Sequence, residues 1–391
     1  MIAPRLADRM AQLGTESAFE VLARATALAA QGRDIINLGI GQPDFKTPDH
    51  IVEAAQKALA DGHHGYTPAA GLPALREAVA ADIARHRRIE VSPGQILVMP
   101  GGKPTIFFAA LMLGQPGAEI MYPNPGFPIY ESVIRFSGAT PVPIPLTEET
   151  GFAFKAESVL EQITDRTRLI ILNSPANPTG GVIPTAEIDA LAQGLDRFPL
   201  VAVMSDEIYS RLLFDGVAHT SLLARENLRD RLIVLDGWSK TYAMTGWRLG
   251  YSVWPPAWVD AAERLAINTH SCVNASAQFA GIAALEGPQD IVETMRTAFE
   301  RRRTLMADML NAIPGIHCQV PAGAFYAFPN IQGTGKSART LQHGLLEEAG
   351  VAVIAGTSFG SYGEGFLRFS CANSARNIET ALTRMAGWLS A

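Results

Sequence analysis

The stretch from residue 232 to residue 251, LIVLDGWSKTYAMTGWRLGY, constrains the fold of this chain more than any other. It begins with four apolar residues, typical of a buried strand in a parallel sheet, and then turns polar at Ser239 and Lys240. Ligands of open α/β sheets bind at the carboxyl ends of the strands, so this lysine is predicted to lie in a cleft. Burial lowers the pKa of a lysine and suits its amine to Schiff-base chemistry. Arg248 offers a planar fork for a phosphate, although a surface lysine and arginine flanking a turn remain the alternative.

Two further apolar runs end in the same way. Residues 201–204 lead into Asp206 and Tyr209, and residues 169–172 lead into Asn177. Three buried strands that each end in polar side chains predict one site at one edge of one sheet. Pyridoxal 5'-phosphate needs such a set, because a lysine binds its aldehyde, an aspartate its pyridinium nitrogen, and cationic or backbone donors its phosphate.

The motifs in these three segments occur together in a known family. NPTG (177–180), SDEIY (205–209), and SK (239–240) followed by GWRLGY (246–251) resemble the signature of class I and II, fold-type I, aminotransferases. The resemblance extends over nearly the whole chain. Any one motif would be weak, but all of them in this order are specific. Gly237 departs from the pattern, since the family often has a serine there that adds a phosphate donor, and we expect slightly weaker cofactor retention from its absence.

The order of elements indicates an α/β protein. Helices and strands alternate between residues 156 and 250, which is typical of a mainly parallel sheet. The resemblance implies fold type I of the pyridoxal-phosphate enzymes: a large domain, residues 46–285, with a mainly parallel seven-stranded sheet sandwiched by helices. A smaller α/β domain would combine both chain ends, residues 1–45 and 286–391. The prolines of residues 138–145 favour a strand at or near the sheet edge.

The resemblance implies a role for each residue of the predicted site. Lys240 would hold the cofactor and move the substrate proton, Asp206 would keep the pyridine nitrogen protonated, and Tyr209 would donate to the ring oxygen together with Asn177. Arg368 also stands out without the resemblance, because an arginine amid apolar neighbours in a predicted strand needs an anion or a structural ion pair. With the resemblance, the substrate α-carboxylate would be bound by Gly41, Asn177 and Arg368.

The phosphate is predicted to bind where the strand 96–99 turns into a helix. Gly101, Gly102 and Lys103 place free backbone N–H groups at the positive end of that helix, which attracts anions. This signal is weak alone, but Arg248 and Ser239 would complete the phosphate site.

Two aromatic residues are implied to touch the cofactor. Phe127 follows three turn-forming residues and corresponds to an aromatic residue that stacks on the cofactor ring, with a packing role as the alternative. Tyr66 resembles the tyrosine that reaches the cofactor phosphate of the other subunit. The resemblance therefore implies a homodimer with shared active sites.

Composition excludes several other classes. The net charge of −6 is spread along the chain without a basic block, so we expect no nucleic-acid partner. No apolar run approaches the ~18 residues of a membrane span, and the first residues lack the apolar core of a secretory signal. The three cysteines lack a CxxC spacing, and the adjacent His63 and His64 have no third ligand nearby, so we expect reduced thiols, no metal and a cytoplasmic location.

Some patterns predict local structure only. Residues 18–30 predict a helix with Ser17 as its N-cap. Residues 291–310 predict a long helix whose run Arg301–Arg303 is typical of a solvated face. Residues 320–328 alternate like a strand.

The predicted activity is transfer of an amino group between an L-amino acid and a 2-oxo acid such as 2-oxoglutarate, in a ping-pong reaction through pyridoxamine phosphate. A C–S β-lyase of the same fold is the alternative. A cofactor-binding domain of a transcription regulator is disfavoured, because we expect no room for the about 60–80 residues of a DNA-binding domain.

The sequence leaves two possibilities for the amino acid that serves as substrate. One subgroup of the family binds the distal carboxylate of a dicarboxylate with an arginine of the partner subunit, but residues 265–278 contain none and offer only His270 and Asn274. Aspartate is then bound in another way, or the substrate is neutral or aromatic. An apolar pocket predicted from four residues mildly favours the latter: Phe19, Ile40, Phe127 and Phe325.

Overall fold

The computed structural model describes residues 5–390. Its strands are β1 (Ile36–Asn37), β2 (Ile96–Met99), β3 (Glu119–Asn124), β4 (Thr140–Pro145), β5 (Thr167–Asn173), β6 (Ala202–Asp206), β7 (Leu232–Gly237), β8 (Gly250–Val253), β9 (Tyr326–Ala327), β10 (Val351–Ala352), β11 (Ile354–Ala355) and β12 (Leu367–Ser370). Its α-helices are α1 (Ser17–Ala30), α2 (Asp49–Ala60), α3 (Pro73–Arg87), α4 (Lys103–Leu113), α5 (Ile129–Phe136), α6 (Ala156–Glu161), α7 (Thr185–Gly194), α8 (Trp238–Thr241), α9 (Val259–Thr269), α10 (Ala275–Glu286), α11 (Asp290–Asn311), α12 (Ala338–Glu347) and α13 (Ala375–Ser390).

The central sheet has seven strands in the order β2-β8-β7-β6-β5-β3-β4. All neighbours pair in parallel except β8, which is antiparallel to both β7 and β2. The prediction of a mainly parallel seven-stranded sheet is therefore confirmed. The proline-rich β4 forms one edge, as predicted, because proline cannot donate to a second neighbouring strand.

Alternate side chains of each central strand enter separate apolar clusters on the two faces of the sheet. In β5, Ile170 and Leu172 pack with α2, α3, α7 and α10, whereas Leu169 and Ile171 pack with α4, α5 and α9. These strands are buried on both faces, which is why their sequences are continuously apolar. Burial of each such side chain contributes about 1.5–3 kcal/mol to the stability of the fold. The sheet is therefore stabilised by packing on both of its faces.

Both ends of the chain meet in a third apolar cluster. The short strand β1 pairs in parallel with β10, and Leu38 packs with residues of α11, α13 and the three-stranded sheet β11-β12-β9. The 22-residue helix α11 runs beside this sheet and packs against α13. The domain boundaries given above remain a prediction.

Three local expectations need correction. Ser17 is the first residue of α1 and not its cap, a position that Glu16 takes. Only Tyr326–Ala327 of the segment 320–328 forms a strand, because the residues before it turn back toward the loop that follows β6. The solvated face predicted for Arg301–Arg303 is wrong for Arg303, which is 1% exposed and forms an ion pair of 2.8 Å with Asp215.

Within residues 5–390, no helix is long and apolar enough to cross a membrane.

Candidate active site

A cavity of about 480 Å³ lies where β5, β6 and β7 end and where α4 begins. The topology explains its position, because parallel strands direct their terminal residues to a single edge of the sheet. The cavity is lined by most of the predicted site residues: Gly41, Gly102, Lys103, Phe127, Asn177, Asp206, Tyr209, Ser239, Lys240, Arg248 and Arg368.

Lys240 lies on α8, directly after β7. Its Nζ donates a hydrogen bond of 2.5 Å to the carbonyl oxygen of Gly41. Burial, together with the positive charges of Arg368 and Arg248, lowers the pKa of Lys240 to about 8. A large fraction of this amine is therefore neutral near pH 8, the form that attacks a carbonyl carbon.

Asp206 ends β6 and is 5% exposed. Its Oδ2 accepts a hydrogen bond of 2.7 Å from the Tyr130 hydroxyl, and its Oδ1 accepts one of 3.2 Å from the Ile208 N–H. Burial raises the pKa of Asp206 to about 6, although these two hydrogen bonds oppose the shift. A cation bound against this carboxylate would offset the cost of its burial, so the site suits a protonated ring nitrogen.

A buried ionic cluster supports the ends of β6 and β7. Arg87 bridges Glu207, at 3.2 Å, and Asp236, while His219 contacts Glu207 at 2.9 Å. Burial opposes ionisation of Glu207, but the charges of Arg87 and His219 lower its pKa to about 2. Because Glu207 follows Asp206 directly, the cluster fixes the backbone that carries the Asp206 carboxylate.

Arg368 lies in β12 and is 3% exposed. Its hydrogen bonds go to an amide and a carbonyl, Asn177 Oδ1 at 2.9 Å and the Gly39 oxygen at 2.5 Å, rather than to a carboxylate. Its guanidinium carbon lies 4.5 Å from the ring centroid of Tyr326 and 4.7 Å from that of Phe359, and its buried Nε has no partner within residues 5–390. A charged guanidinium with free donor capacity accepts an anion such as a carboxylate.

Residue 41 has to be glycine, because the side chain of Tyr326 lies very close to its Cα. A Cβ at this position would overlap the hydroxyl of Tyr326. That hydroxyl shares a 2.8 Å hydrogen bond with the hydroxyl of Tyr209, and burial raises the pKa of Tyr209 well above its ordinary value. Both phenols therefore stay protonated, and the one that accepts their shared hydrogen bond can donate to an acceptor in the cavity.

Hydrogen-bond donors that could bind a phosphate lie together in another part of the cavity. Gly101 has φ 88°, and a Cβ there would overlap the guanidinium of Arg248. Helix α4 follows at Lys103 without a side-chain cap, and the Gly102 and Lys103 N–H groups make no backbone hydrogen bond within residues 5–390, so they are available to an anion. The free N–H predicted for Gly101 is wrong, because it donates a hydrogen bond of 2.8 Å to the Met99 carbonyl. Arg248 keeps donors available, since one Nη1 hydrogen bond of 2.8 Å holds it to the Thr245 carbonyl.

Gly237 has a structural reason to be glycine. A Cβ at this position would lie 2.8 Å from the Cα of Gly250 on the neighbouring strand β8. The serine often seen in the family at this position therefore does not fit this backbone without a shift. The expected weaker cofactor retention stays a prediction.

Several predicted residues lie outside the cavity. Tyr66 is 94% exposed, and Gly101 reaches the site only through Arg248. Phe325 is buried behind Tyr209, with ring centroids 5.5 Å apart, so its assignment to the apolar pocket is wrong within this chain.

The two polar candidates of residues 265–278 make local contacts. Asn274 caps α10 by accepting a hydrogen bond of 3.0 Å from the Ala277 N–H, and the His270 ring stacks on Phe108. Neither lines the cavity of its own chain.

Some lining residues were not found from the sequence. Tyr130 lies three residues after Phe127, at the start of α5, and no motif in the sequence marks it as part of the site. Glu16 lies before α1 and forms an ion pair with Lys103, whose Nζ lies 5.7 Å from the ring centroid of Phe19 and 5.6 Å from that of Phe127. This contact joins residues 87 positions apart, so no local pattern indicates it.

The titratable residues of the site do not form a metal centre. Among residues 5–390, no three His, Cys, Asp or Glu side chains are grouped so that they could hold an ion.

Comparisons with known proteins agree with this geometry. The family model for aminotransferase class I and II matches residues 33–385. An aspartate aminotransferase of Geobacillus stearothermophilus is 38% identical over 393 residues, covering 99% of both chains. The structure of an aspartate aminotransferase from Thermus thermophilus with maleate has a TM-score of 0.94 at 35% identity, covering 99% of this chain and 100% of that one. An aromatic aminotransferase of Pyrococcus horikoshii has a TM-score of 0.89 at 35% identity, covering 94% and 98%.

Proposed function

This chain belongs to the class I and II aminotransferase family, and we propose that it uses pyridoxal 5'-phosphate to move the amino group of L-aspartate to a 2-oxo acid such as 2-oxoglutarate. The enzyme is a transaminase, and its relatives support this activity rather than the β-lyase alternative. One observation carries the proposal: Lys240, Asp206, Arg248 and Arg368 line the same cavity.

The residues fit pyridoxal phosphate on the chemistry of their donors. Gly101 lacks the Cβ that would overlap Arg248, so the turn and the guanidinium come together as a corner for the phosphate. Asp206 is a buried carboxylate without a cationic side chain among its hydrogen-bond partners, and it would hold the ring nitrogen as a cation. Lys240 has a lowered pKa and would bind the aldehyde. The cofactor, when bound, supplies a carbonyl that condenses with amines and a ring that accepts electrons from the substrate.

The chain's own residues perform the remaining steps. Arg368 and Asn177 bind the α-carboxylate and thereby orient Cα, because two parallel hydrogen bonds fix a carboxylate in one plane. Lys240 Nζ removes the proton from Cα of the amino acid and, in the second half-reaction, returns a proton to Cα of the product formed from the 2-oxo acid. Tyr209, held by Tyr326, would donate a hydrogen bond to the ring oxygen.

Aspartate is proposed as the donor on the names of the relatives and on one side chain. Lys103 lines the cavity, and its ammonium is not needed to bind the α-carboxylate of the substrate. A distal carboxylate would meet Lys103 in place of Glu16. An aromatic donor is the second candidate, because Phe19 and Phe127 both line the cavity beside the Lys103 ammonium and offer an apolar surface.

The assembly and location are also proposals. A homodimer in which Tyr66 reaches the partner's phosphate site is supported by the 94% exposure of that side chain in the single chain. The division into residues 46–285 and residues 1–45 with 286–391 is supported by the parallel pairing of β1 with β10, which joins the two ends of the chain. A cytoplasmic location is in keeping with three free cysteines, two of them buried.

The test is turnover of purified protein supplied with pyridoxal phosphate. Aspartate, phenylalanine and alanine are each incubated with 2-oxoglutarate, and glutamate is measured. We expect glutamate from aspartate in amounts equal to the oxaloacetate formed, and none from the variant Lys240→Ala. A cysteine thioether such as cystathionine is supplied separately without 2-oxoglutarate, and its cleavage to a thiol, pyruvate and ammonia would instead indicate a lyase. Absence of glutamate with every donor would overturn the proposal.

A further inference from the structure

The ammonium of Lys103, which lines the candidate active site, is already paired with a carboxylate of the chain itself. Glu16, the residue before α1, forms an ion pair with Lys103, the first residue of α4. Both residues line the same cavity as Lys240 and Arg368. The side chain of Glu16 is 14% exposed, so most of it is shielded from water, and Lys103 is its ion-pair partner.

The surroundings of the pair are apolar. Lys103 Nζ lies 5.7 Å from the ring centroid of Phe19 and 5.6 Å from that of Phe127. A neutral or aromatic substrate can pack against these rings only if the nearby ammonium keeps a counter-charge, because an ion that is desolvated without a partner is costly. Glu16 supplies that counter-charge from within the chain.

A dicarboxylate substrate changes the balance. Its distal carboxylate competes with Glu16 for the same ammonium, and both carboxylates in contact would repel each other. Binding of aspartate therefore requires release of Glu16 into water. Water reaches this pair, since Lys103 keeps 43% and Glu16 14% of its side chain exposed, so a released carboxylate can be solvated.

We infer that Glu16 is a specificity-determining residue that acts as an internal substitute for the substrate's distal carboxylate. With the Glu16–Lys103 pair closed, the pocket accepts neutral and aromatic amino acids. With the pair opened, Lys103 binds the distal carboxylate of a dicarboxylate. This inference rests on the proposed function, and it assigns to one residue the balance between the two substrate classes.

The magnitude follows from the pair that the dicarboxylate must break. A partly exposed ion pair stabilises by up to ~1 kcal/mol, which corresponds to about fivefold in affinity. We expect Glu16→Gln to raise kcat/KM for aspartate about fivefold, because Lys103 is then free. The value for phenylalanine should fall by up to about fivefold, because the ammonium beside Phe19 and Phe127 then has no counter-charge when an apolar side chain covers it.

The test uses the holoenzyme with two matched variants. Glu20→Gln removes the same charge one turn further along α1, where Glu20 lies outside the substrate cavity. Lys103→Met removes the cation. Turnover of aspartate and phenylalanine is measured for each variant, and binding of succinate, a dicarboxylate that does not react, is measured by calorimetry as a readout independent of turnover.

The expected pattern is specific. Glu16→Gln raises the aspartate-to-phenylalanine ratio and the succinate affinity, Glu20→Gln changes neither, and Glu16→Gln has no effect on the ratio when Lys103→Met is already present. An equal loss for both substrates in Glu16→Gln would show that the pair only holds α1 in place and would overturn the inference. Wild-type protein without turnover of either substrate would be a failure of the proposed function instead, and succinate binding would still test the role of Glu16.

Discussion

The carboxylate of Asp206 allows a test in which stability and cofactor affinity move in opposite directions. Asp206→Asn keeps the size of the side chain but removes its charge. In the folded chain burial raises the pKa of Asp206 to about 6 from an ordinary value of 3.8, so the ionised form is costly to bury. Without the cofactor, the ionised Asp206 carboxylate is therefore an unfavourable buried charge, and a cationic ring nitrogen would neutralise it.

The sign of the pH dependence follows from this shift. Because the pKa is higher in the folded state, the favourable contribution of protonated Asp206 is complete below pH 3.8 and is lost as the pH rises through 6. At pH 8 the ionised carboxylate costs about 3 kcal/mol relative to a group that stays neutral, and at pH 5 about half of this. An asparagine escapes the cost, but it weakens the hydrogen bond from Tyr130 by ~1 kcal/mol.

We therefore expect cofactor-stripped Asp206→Asn to be about 2 kcal/mol more stable than the wild type at pH 8 and less than ~1 kcal/mol more stable at pH 5. Urea unfolding at fixed protein concentration measures both values. Asp61→Asn, the same change at an exposed carboxylate paired only with Lys57, should shift stability by less than ~0.5 kcal/mol at either pH.

The same variant should bind pyridoxal phosphate at least ~10-fold more weakly, because the ion pair with the ring nitrogen is gone. Fluorescence titration of the stripped protein gives this affinity. A variant that is less stable than the wild type at pH 8, or equally changed at both pH values, would refute the reasoning about the buried charge. Unchanged cofactor affinity would refute the role of Asp206.

Two further substitutions test the anion sites. Arg368→Lys replaces a planar fork with a point charge, so kcat/KM should fall ~30-fold or more for aspartate and phenylalanine alike, which steady-state kinetics would show; loss with one substrate only would contradict binding of the shared α-carboxylate. Gly101→Ala places a Cβ against Arg248 and should lower pyridoxal phosphate affinity in titration, whereas Gly62→Ala, at a similar positive φ with open space around it, should leave that affinity unchanged. Equal effects of both glycine variants would show that backbone strain alone is responsible.

The parts of the site that follow strands were predictable from sequence. Lys240, Asp206 and Asn177 each come shortly after an apolar run, and the edge of a parallel sheet brings such positions together. Arg368 was predictable for another reason: a charge amid apolar neighbours has to be paired or functional. The order of helices and strands likewise indicates the parallel sheet, because alternating βα units leave few other arrangements.

Contacts between distant segments were not predictable. Arg87 at the end of α3 meets Asp236 on β7 across 149 positions, and no spacing rule connects them. Arg303 looked like part of a solvated face because helical periodicity does not say which side of α11 will be covered, and a loop carrying Asp215 covers it. Glu16 was not predicted for the same reason, because its proposed role depends on its contact with Lys103, 87 positions away.

The identity of the lysine that holds the cofactor tests the central claim most directly. Purified protein is loaded with pyridoxal phosphate, treated with borohydride to fix any lysine–cofactor bond, digested, and mapped by mass spectrometry. The account predicts the modification on Lys240 alone, with none on Lys103, the other lysine of the cavity. Modification of a different lysine, or cofactor binding with full activity in Lys240→Ala, would contradict the assignment of this cavity as the active site.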